Sequence, residues 1–199
     1  MAAWLVVGLG NPGSTYAHNR HNIGAMVAHE LARRGSSVWK PRRMLRAETA
    51  EVRLGPGGIG VPSSHADQLV LTVTRTYMNL SGIPVRNLLG DRKIHPDHLI
   101  VVHDELDLDF GQMRAKFGGG DNGHNGLKSI RAMTGTGDYF RVRVGIGRPS
   151  GRMDVTDWVL TNFLPAEKEK LAEMVSLAAN AVESLVVNGL ESTQSKYNS

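Results

Sequence analysis

Two stretches hold the residue types that acid–base chemistry at neutral pH requires: TYAHNRHNIG (15–24) and IVVHDELDLD (100–109). His21 stands where a helical period starts. Ile23, Met26, Val27 and Leu31 recur at helical spacing, and Gly35 lies in the C-cap position. The positive end of a helix disfavours the imidazolium, so it favours a neutral ring able to accept a proton. By itself His21 reads as a surface histidine. A general base also needs a partner that orients its second ring nitrogen. Asp104 is the first carboxylate to emerge from the apolar run LIVV (99–102), at a strand C-terminus, where ligands of open α/β sheets collect.

The acidic cluster His103, Asp104, Glu105, Asp107 and Asp109 also raises a metal reading. Neighbouring strand residues face opposite sides, and no second cluster with ligand spacing accompanies it, so no metal is expected. Glu105, Asp107 and Asp109 read as a solvated strand end.

Three asparagines stand at strand exits or helix entries: Asn11, Asn79 and Asn125. Turn and cap chemistry is their ordinary use. If they converge on His21 and Asp104, their amides could orient a water and a carbonyl oxygen. Arg114 and Lys116 precede the glycine loop GGGDNGHNG (118–126), Lys128 and Arg131 follow it, and Arg141 and Arg143 share a strand face. Grouped around a loop, these cations resemble a phosphate-contacting rim. Lys40, Arg42, Arg43 and Arg46 form a separate basic patch that reads as solvated surface.

A competing chemistry lies in VGLGNPG, where Gly8, Gly10 and Gly13 have the spacing of a dinucleotide cradle. Pro12 removes one amide from that loop, and the helical period begins well past Gly13. The acidic ribose partner could only be Glu30, inside the helix. No nucleotide or other cofactor is expected.

The elements that must position these residues alternate between strand and helix. Residues 3–9, 45–54, 68–76, 98–108 and 139–147 read as strands. Helices follow Asn19, Asn79 and the glycine loop, and an apolar stripe from Leu171 to Val186 marks another that ends at Asn188-Gly189. Residues 55–67 are turn chemistry throughout. The class is α/β, a single three-layer α/β/α domain with a mixed, partly parallel central sheet. The domain spans 1–189, and the polar residues 190–199 are expected to fray.

The 199 residues carry a net charge of +4, which permits a polyanionic partner without demanding one. The absence of cysteine excludes disulfides, a thiol nucleophile and thiolate zinc sites. The N-terminus lacks a basic leader, and no apolar run approaches the ~20 residues of a membrane span. A cytoplasmic protein with no membrane partner is the expectation.

Five segments in order, VGLGNPGSTYAHNRHNIG, TYMNLSG, VVHDELDLDFG, GGGDNGHNGLKSI and FRVRVGIGRP, resemble the bacterial peptidyl-tRNA hydrolase family. The resemblance spans about residues 4 to 163. It implies a monomeric, metal-independent, cytosolic enzyme that cleaves the ester between a peptide and the terminal ribose of tRNA. It further implies His21 as general base, Asp104 as its orienting carboxylate, and Asn11, Asn79 and Asn125 as groups that position ester, peptide and water. Tyr16, Asn22, Met78 and His124 would line the site or shape its gate. Lys116 and Arg143 would clamp the tRNA 5′-phosphate, with Arg114 alongside. Two positions depart from the family pattern: Val73-Thr74 stand where Lys-Pro is frequent, and Asn19 where Thr is more usual. Rival readings are an RNA-binding module without catalysis and a nucleotide-dependent oxidoreductase.

Overall fold

The computed structural model describes residues 1–198. Its strands are β1 (Ala3–Gly8), β2 (Lys40–Arg42), β3 (Ala47–Gly55), β4 (Gly58–Ile59), β5 (Asp67–Thr74), β6 (Leu99–Glu105), β7 (Met113–Phe117) and β8 (Phe140–Gly145). The helices are α1 (Ile23–Arg34), α2 (Gly82–Arg92), α3 (Asn125–Thr134), α4 (Val155–Val159) and α5 (Lys168–Tyr197). One sheet runs β2-β3-β5-β1-β6-β8-β7, with β4 folded back on β3. β1 pairs in parallel with β5 and β6, and β6 with β8; the outer pairs are antiparallel.

The alternation of apolar residues along β1 divides the core. Trp4 and Val6 join Ile23, Val27 and Leu31 of α1 and Met174, Ala178 and Val182 of α5 on one face. Leu5 and Val7 join Val85 and Leu88 of α2 and Leu127 and Ile130 of α3 on the other. Each fully buried Val, Leu or Ile among these contributes about 1.5–3 kcal/mol relative to exposure. The three-layer arrangement expected from strand–helix alternation is therefore the one observed.

The topology also places a crevice. The chain reaches β5 on one side of β1 and then crosses by α2 to β6 on the other side. Ligands of open α/β sheets bind at such a reversal, beyond the carboxyl ends of the strands. Here those ends are Gly8 and Glu105, next to Asp104.

The glycines of the first turn have a packing role. A Cβ on Gly8 would lie 2.2 Å from the Gly24 carbonyl oxygen, and one on Gly24 would lie 2.1 Å from the Val102 oxygen. The start of α1 thus rests directly on the backbone of β1 and β6. Gly24→Ala is expected to destabilise the fold by about 1–3 kcal/mol or more, because both obstacles are backbone and cannot rotate away. Urea denaturation measures it, and an unchanged midpoint would remove close packing as the reason for this glycine.

Two parts of the chain differ from expectation. β7 has no counterpart among the strands expected from the sequence, although Met113 and Ala115 are buried and Arg114 between them is exposed. This strand is short and follows a turn, so the alternation covers too few residues to stand out. Residues 190–197, expected to fray, instead continue α5 past a kink at Gly189 (φ 79°). Thr193 is fully buried, with its Oγ1 2.8 Å from both Ser184 Oγ and the Gly189 oxygen. Gln194 Nε2 and Asn198 Nδ2 donate to the Ala115 oxygen at 3.0 and 2.9 Å, and the Ala115 amide donates to Asn198 Oδ1 at 2.6 Å. The polar side chains satisfy the open edge of β7, which would otherwise present unpaired backbone groups.

The segment Pro165–Tyr197 is long and apolar enough to cross a membrane by length and composition alone. Its apolar residues Met174, Ala178, Val182 and Leu185 are buried in the core against the sheet and α1.

Candidate active site

His21 lies in a 3-10 turn, Arg20–Asn22, that leads into α1. The turn is held from two sides. Arg20 is buried, pairs with Glu167 at 3.0 Å and stacks its guanidinium 4.0 Å over the ring of Trp158. Asn22 exchanges hydrogen bonds with the backbone of Asn11: the Asn11 amide donates to Oδ1 at 3.0 Å, and Nδ2 donates to the Asn11 oxygen at 2.9 Å. Asn22 therefore acts on the Asn11 loop.

His21 Nδ1 is 2.9 Å from both carboxylate oxygens of Asp104. A second imidazole meets the same carboxylate: His124 Nε2 is 2.8 Å from Asp104 Oδ1. His124 caps α3 by accepting the Gly126 N–H on Nδ1 at 3.1 Å, so its proton resides on Nε2 and is donated to Asp104. By the same logic His21 donates from Nδ1, which leaves the Nε2 lone pair as its basic atom.

Burial penalises the charged form of His21, but the Asp104 charge and hydrogen bond more than offset it, and the pKa is raised. The helix terminus alone leads to the opposite expectation; a carboxylate in direct contact outweighs the partial charge of a helix end. Burial likewise opposes ionisation of Asp104, yet the fields and hydrogen bonds of His21 and His124 hold its pKa well below the usual range. His103 is different. Full burial is the main cause that lowers its pKa to about 3, so it stays neutral and donates Nδ1–H to the Asp104 backbone oxygen.

His21, Asp104 and His124 are the one grouping among the described residues with three ligand-type atoms close together, all within 4.8 Å. As hydrogen-bonded, these atoms already share protons. A metal would have to displace the His124 proton, which the Gly126 amide pins to Nε2.

A cleft of about 260 Å³ opens beside the pair, lined by His21, Asp104, Leu106, Asn125, Val155 and Val159 among others. Asn125 is exposed at the first position of α3. Asn11 lines a second cavity of about 420 Å³ together with Asn22. Its Oδ1 accepts the Met78 N–H at 2.7 Å, which fixes the amide with Nδ2 as its donor end. Met78 is buried, and Asn79 is exposed beside it in the 3-10 turn Met78–Leu80. Tyr16 packs edge-on to Tyr77 with centroids 6.1 Å apart. The structure thus gathers His21, Asp104, His124 and Asn125 around one cleft. Asn11, Asn22 and Met78 form an adjoining hydrogen-bonded web, with Asn79 at its surface.

The cations form a second group. Antiparallel pairing of β7 with β8 sets Arg114 opposite Arg143 and Lys116 opposite Arg141. Burial and the charges of Arg141 and Arg143 lower the Lys116 pKa. Like charges directly opposed across strands are unfavourable unless an anion meets them. Arg141 departs from the rim role: it is buried, and its guanidinium donates to the oxygens of Gly119, Gly120 and Gly137. Arg143 Nε donates to Glu105 at 3.0 Å.

Sequence reasoning missed Glu105, which is buried, and α4, which supplies Val155 and Val159 to the cleft wall. It also passed over Arg20. A buried arginine and a surface arginine look alike in a sequence, and only the distant partners Glu167 and Trp158 separate them.

A family profile described as peptidyl-tRNA hydrolase matches residues 5–199. The chain is 52% identical over 197 residues to the peptidyl-tRNA hydrolase of Cutibacterium acnes, covering 99% of this chain and 98% of that one. It is 50% identical over 198 residues to that of Streptomyces avermitilis, covering 100% and 95%. Among solved structures, the peptidyl-tRNA hydrolase of Acinetobacter baumannii superposes with a TM-score of 0.83 at 32% identity, covering 98% and 95% of the two chains. With its profile matched across the domain and its closely similar relatives matched end to end, this chain belongs to the peptidyl-tRNA hydrolase family.

Proposed function

We propose that the protein hydrolyses the ester joining a peptide to the terminal ribose of tRNA. The observation that carries the mechanism is the hydrogen bond from His21 Nδ1 to Asp104, which leaves Nε2 as the basic atom at the cleft. His21 Nε2 takes a proton from water as the water oxygen attacks the ester carbonyl. The tetrahedral oxyanion then collapses, the ribose oxygen leaves, and the imidazolium returns the proton to it. Asp104 holds the ring in the required tautomer and stabilises the imidazolium.

Asn11 and Asn79 supply amide donors to the ester and oxyanion, and Asn125 positions the peptide or the water. Tyr16, Asn22, Met78 and His124 shape and brace the site. All these residues come from one chain, so one copy suffices. The test is release of free tRNA from purified peptidyl-tRNA by the purified protein in buffer containing EDTA. Absence of release would overturn the assignment, and a loss reversed by added metal would revive a metal role for His21, Asp104 and His124.

The acceptor end of the tRNA meets Arg114, Lys116 and Arg143, and the 5′-phosphate is the anion that relieves their mutual repulsion. Each phosphate contact contributes about 0.7–0.9 to the slope of log K against log salt. Lys116→Ala and Arg143→Ala are therefore expected to raise KM and flatten that slope by about 1 each. A salt series of KM measures this, and unchanged slopes in both variants would remove these residues from the RNA contact.

A further inference from the structure

Glu105 is a buried carboxylate that the mechanism above does not use; it is 5% exposed. It accepts three hydrogen bonds: from Arg143 Nε at 3.0 Å, from Asn122 Nδ2 at 2.9 Å and from the Asp107 amide at 3.1 Å. Two of these donors belong to different parts of the molecule. Arg143 is in the cationic group on β7 and β8, whereas Asn122 lies in the glycine loop beside the catalytic cleft. Only Nε of Arg143 is engaged among the described residues, so the outer edge of its guanidinium remains able to bind an oxyanion.

The loop itself is gripped at successive points. Arg141 holds the Gly119 and Gly120 oxygens, Glu105 holds Asn122, and Asp104 holds His124. Asp104 and Glu105 end β6, and each holds one residue of the same turn. Asn122 has φ 49°, a left-handed conformation uncommon for a residue with a side chain. Its amide is also bound to Asp107 Oδ2 at 2.7 Å. The carboxylates of Glu105 and Asp107 brace this turn through the Asn122 amide.

We propose that Glu105 is a positioning residue that couples anion binding at Arg143 to the loop over the catalytic cleft. An oxyanion of the substrate, bound at the free outer edge of the guanidinium, draws Arg143 away from Glu105. As Arg143 turns to the anion, the hydrogen-bond set around Glu105 rearranges and the hold on Asn122 changes. Two residues later, His124 contacts the carboxylate that orients His21. The proposal rests on the reading of Arg143 and Lys116 as the phosphate contact, and it predicts an effect on turnover that a simple clamp would not produce.

The experiment compares 5′-phosphorylated and dephosphorylated peptidyl-tRNA as substrates of wild type, Glu105→Gln and Asn122→Ala, with kcat and KM determined separately. Glutamine leaves a single acceptor oxygen for three donors, and Asn122→Ala cuts only the loop side. In wild type the phosphate is expected to lower KM and to change kcat, the latter by about fivefold or more, the lower range of a site-to-site coupling. In both variants the KM effect should persist and the kcat effect should vanish. General damage to the fold would slow both substrates alike and leave their ratio unchanged. A wild-type phosphate effect confined to KM, or an undiminished kcat effect in both variants, overturns the coupling and leaves the phosphate contact standing. No phosphate effect on either parameter in wild type overturns the phosphate contact itself, and the coupling with it.

Discussion

Replacement of His21 by alanine is expected to lower kcat for peptidyl-tRNA hydrolysis by about 10²–10⁴-fold, the range for loss of a positioned general base. The ring sits at the cleft with Nδ1 committed to Asp104, so among the described residues its Nε2 is the basic nitrogen best placed to face a bound ester. The neighbouring His124 is no substitute, because Gly126 occupies its Nδ1 and Asp104 its Nε2. Because the cationic group lies on β7 and β8, away from the missing ring, KM should change far less than kcat. Steady-state kinetics on purified variant and wild type separates the two. Hydrolysis by His21→Ala at the wild-type rate would show that another group removes the proton.

The second large effect belongs to Asp104→Asn. Asp104 accepts N–H groups from two imidazoles, at 2.9 Å from His21 and 2.8 Å from His124. An asparagine keeps one acceptor and presents a donor in place of the other. The His124 tautomer is pinned by the Gly126 amide, so the mismatch falls on His21, whose proton moves to Nε2 and blocks the basic atom. Conversion of an orienting aspartate to its amide costs about 10⁴-fold in a serine-protease triad, and a loss of about 10²–10⁴-fold is expected here.

The pH dependence supplies an independent check on the same pair. In wild type the His21 pKa is raised above its ordinary 6.5, so the acid limb of kcat/KM should have its midpoint above that value. The sign follows from the base being active only when deprotonated: a higher pKa protonates it at a higher pH. Removing the Asp104 charge removes the cause of the increase, and burial, which acts in the opposite direction, remains. The acid limb of whatever activity survives in Asp104→Asn should therefore move to lower pH. Coincident limbs in the two proteins would mean that Asp104 does not set the His21 equilibrium.

Much of the fold was legible because its signals are local. The run LVV in β1 and the spacing of Ile23, Val27 and Leu31 mark a buried strand and a helix face without reference to anything distant. The alternation of strands with helices then led to the layered sheet. One local signal misled, and a second, the glycine spacing, is already discounted by Pro12 and the late helix start. The polar residues after Gly189 have the composition of a frayed end, but the edge of β7 needs hydrogen-bond partners, and Gln194 and Asn198 provide them. The spacing of Gly8, Gly10 and Gly13 matches a phosphate cradle, whereas Gly8 and Gly24 serve the contact of α1 with the strands beneath it.

The sequence by itself determined which residues have suitable chemistry: an imidazole at a helix entry, a carboxylate at a strand end, asparagines in turns and cations around a glycine loop. It also carried the family, because five segments in order specify far more than one motif does. Only the tertiary structure decided which of these groups act together. His21 and Asp104 are 83 residues apart and meet at 2.9 Å because β1 and β6 are neighbours whose carboxyl ends face one crevice. The same packing gave Asp104 a second imidazole, reversed the direction expected for the His21 pKa, and buried Glu105 between Arg143 and Asn122. Charge type is a property of a residue, but pKa, tautomer and burial are set by neighbours within a few ångströms, and only chain folding brings those neighbours together.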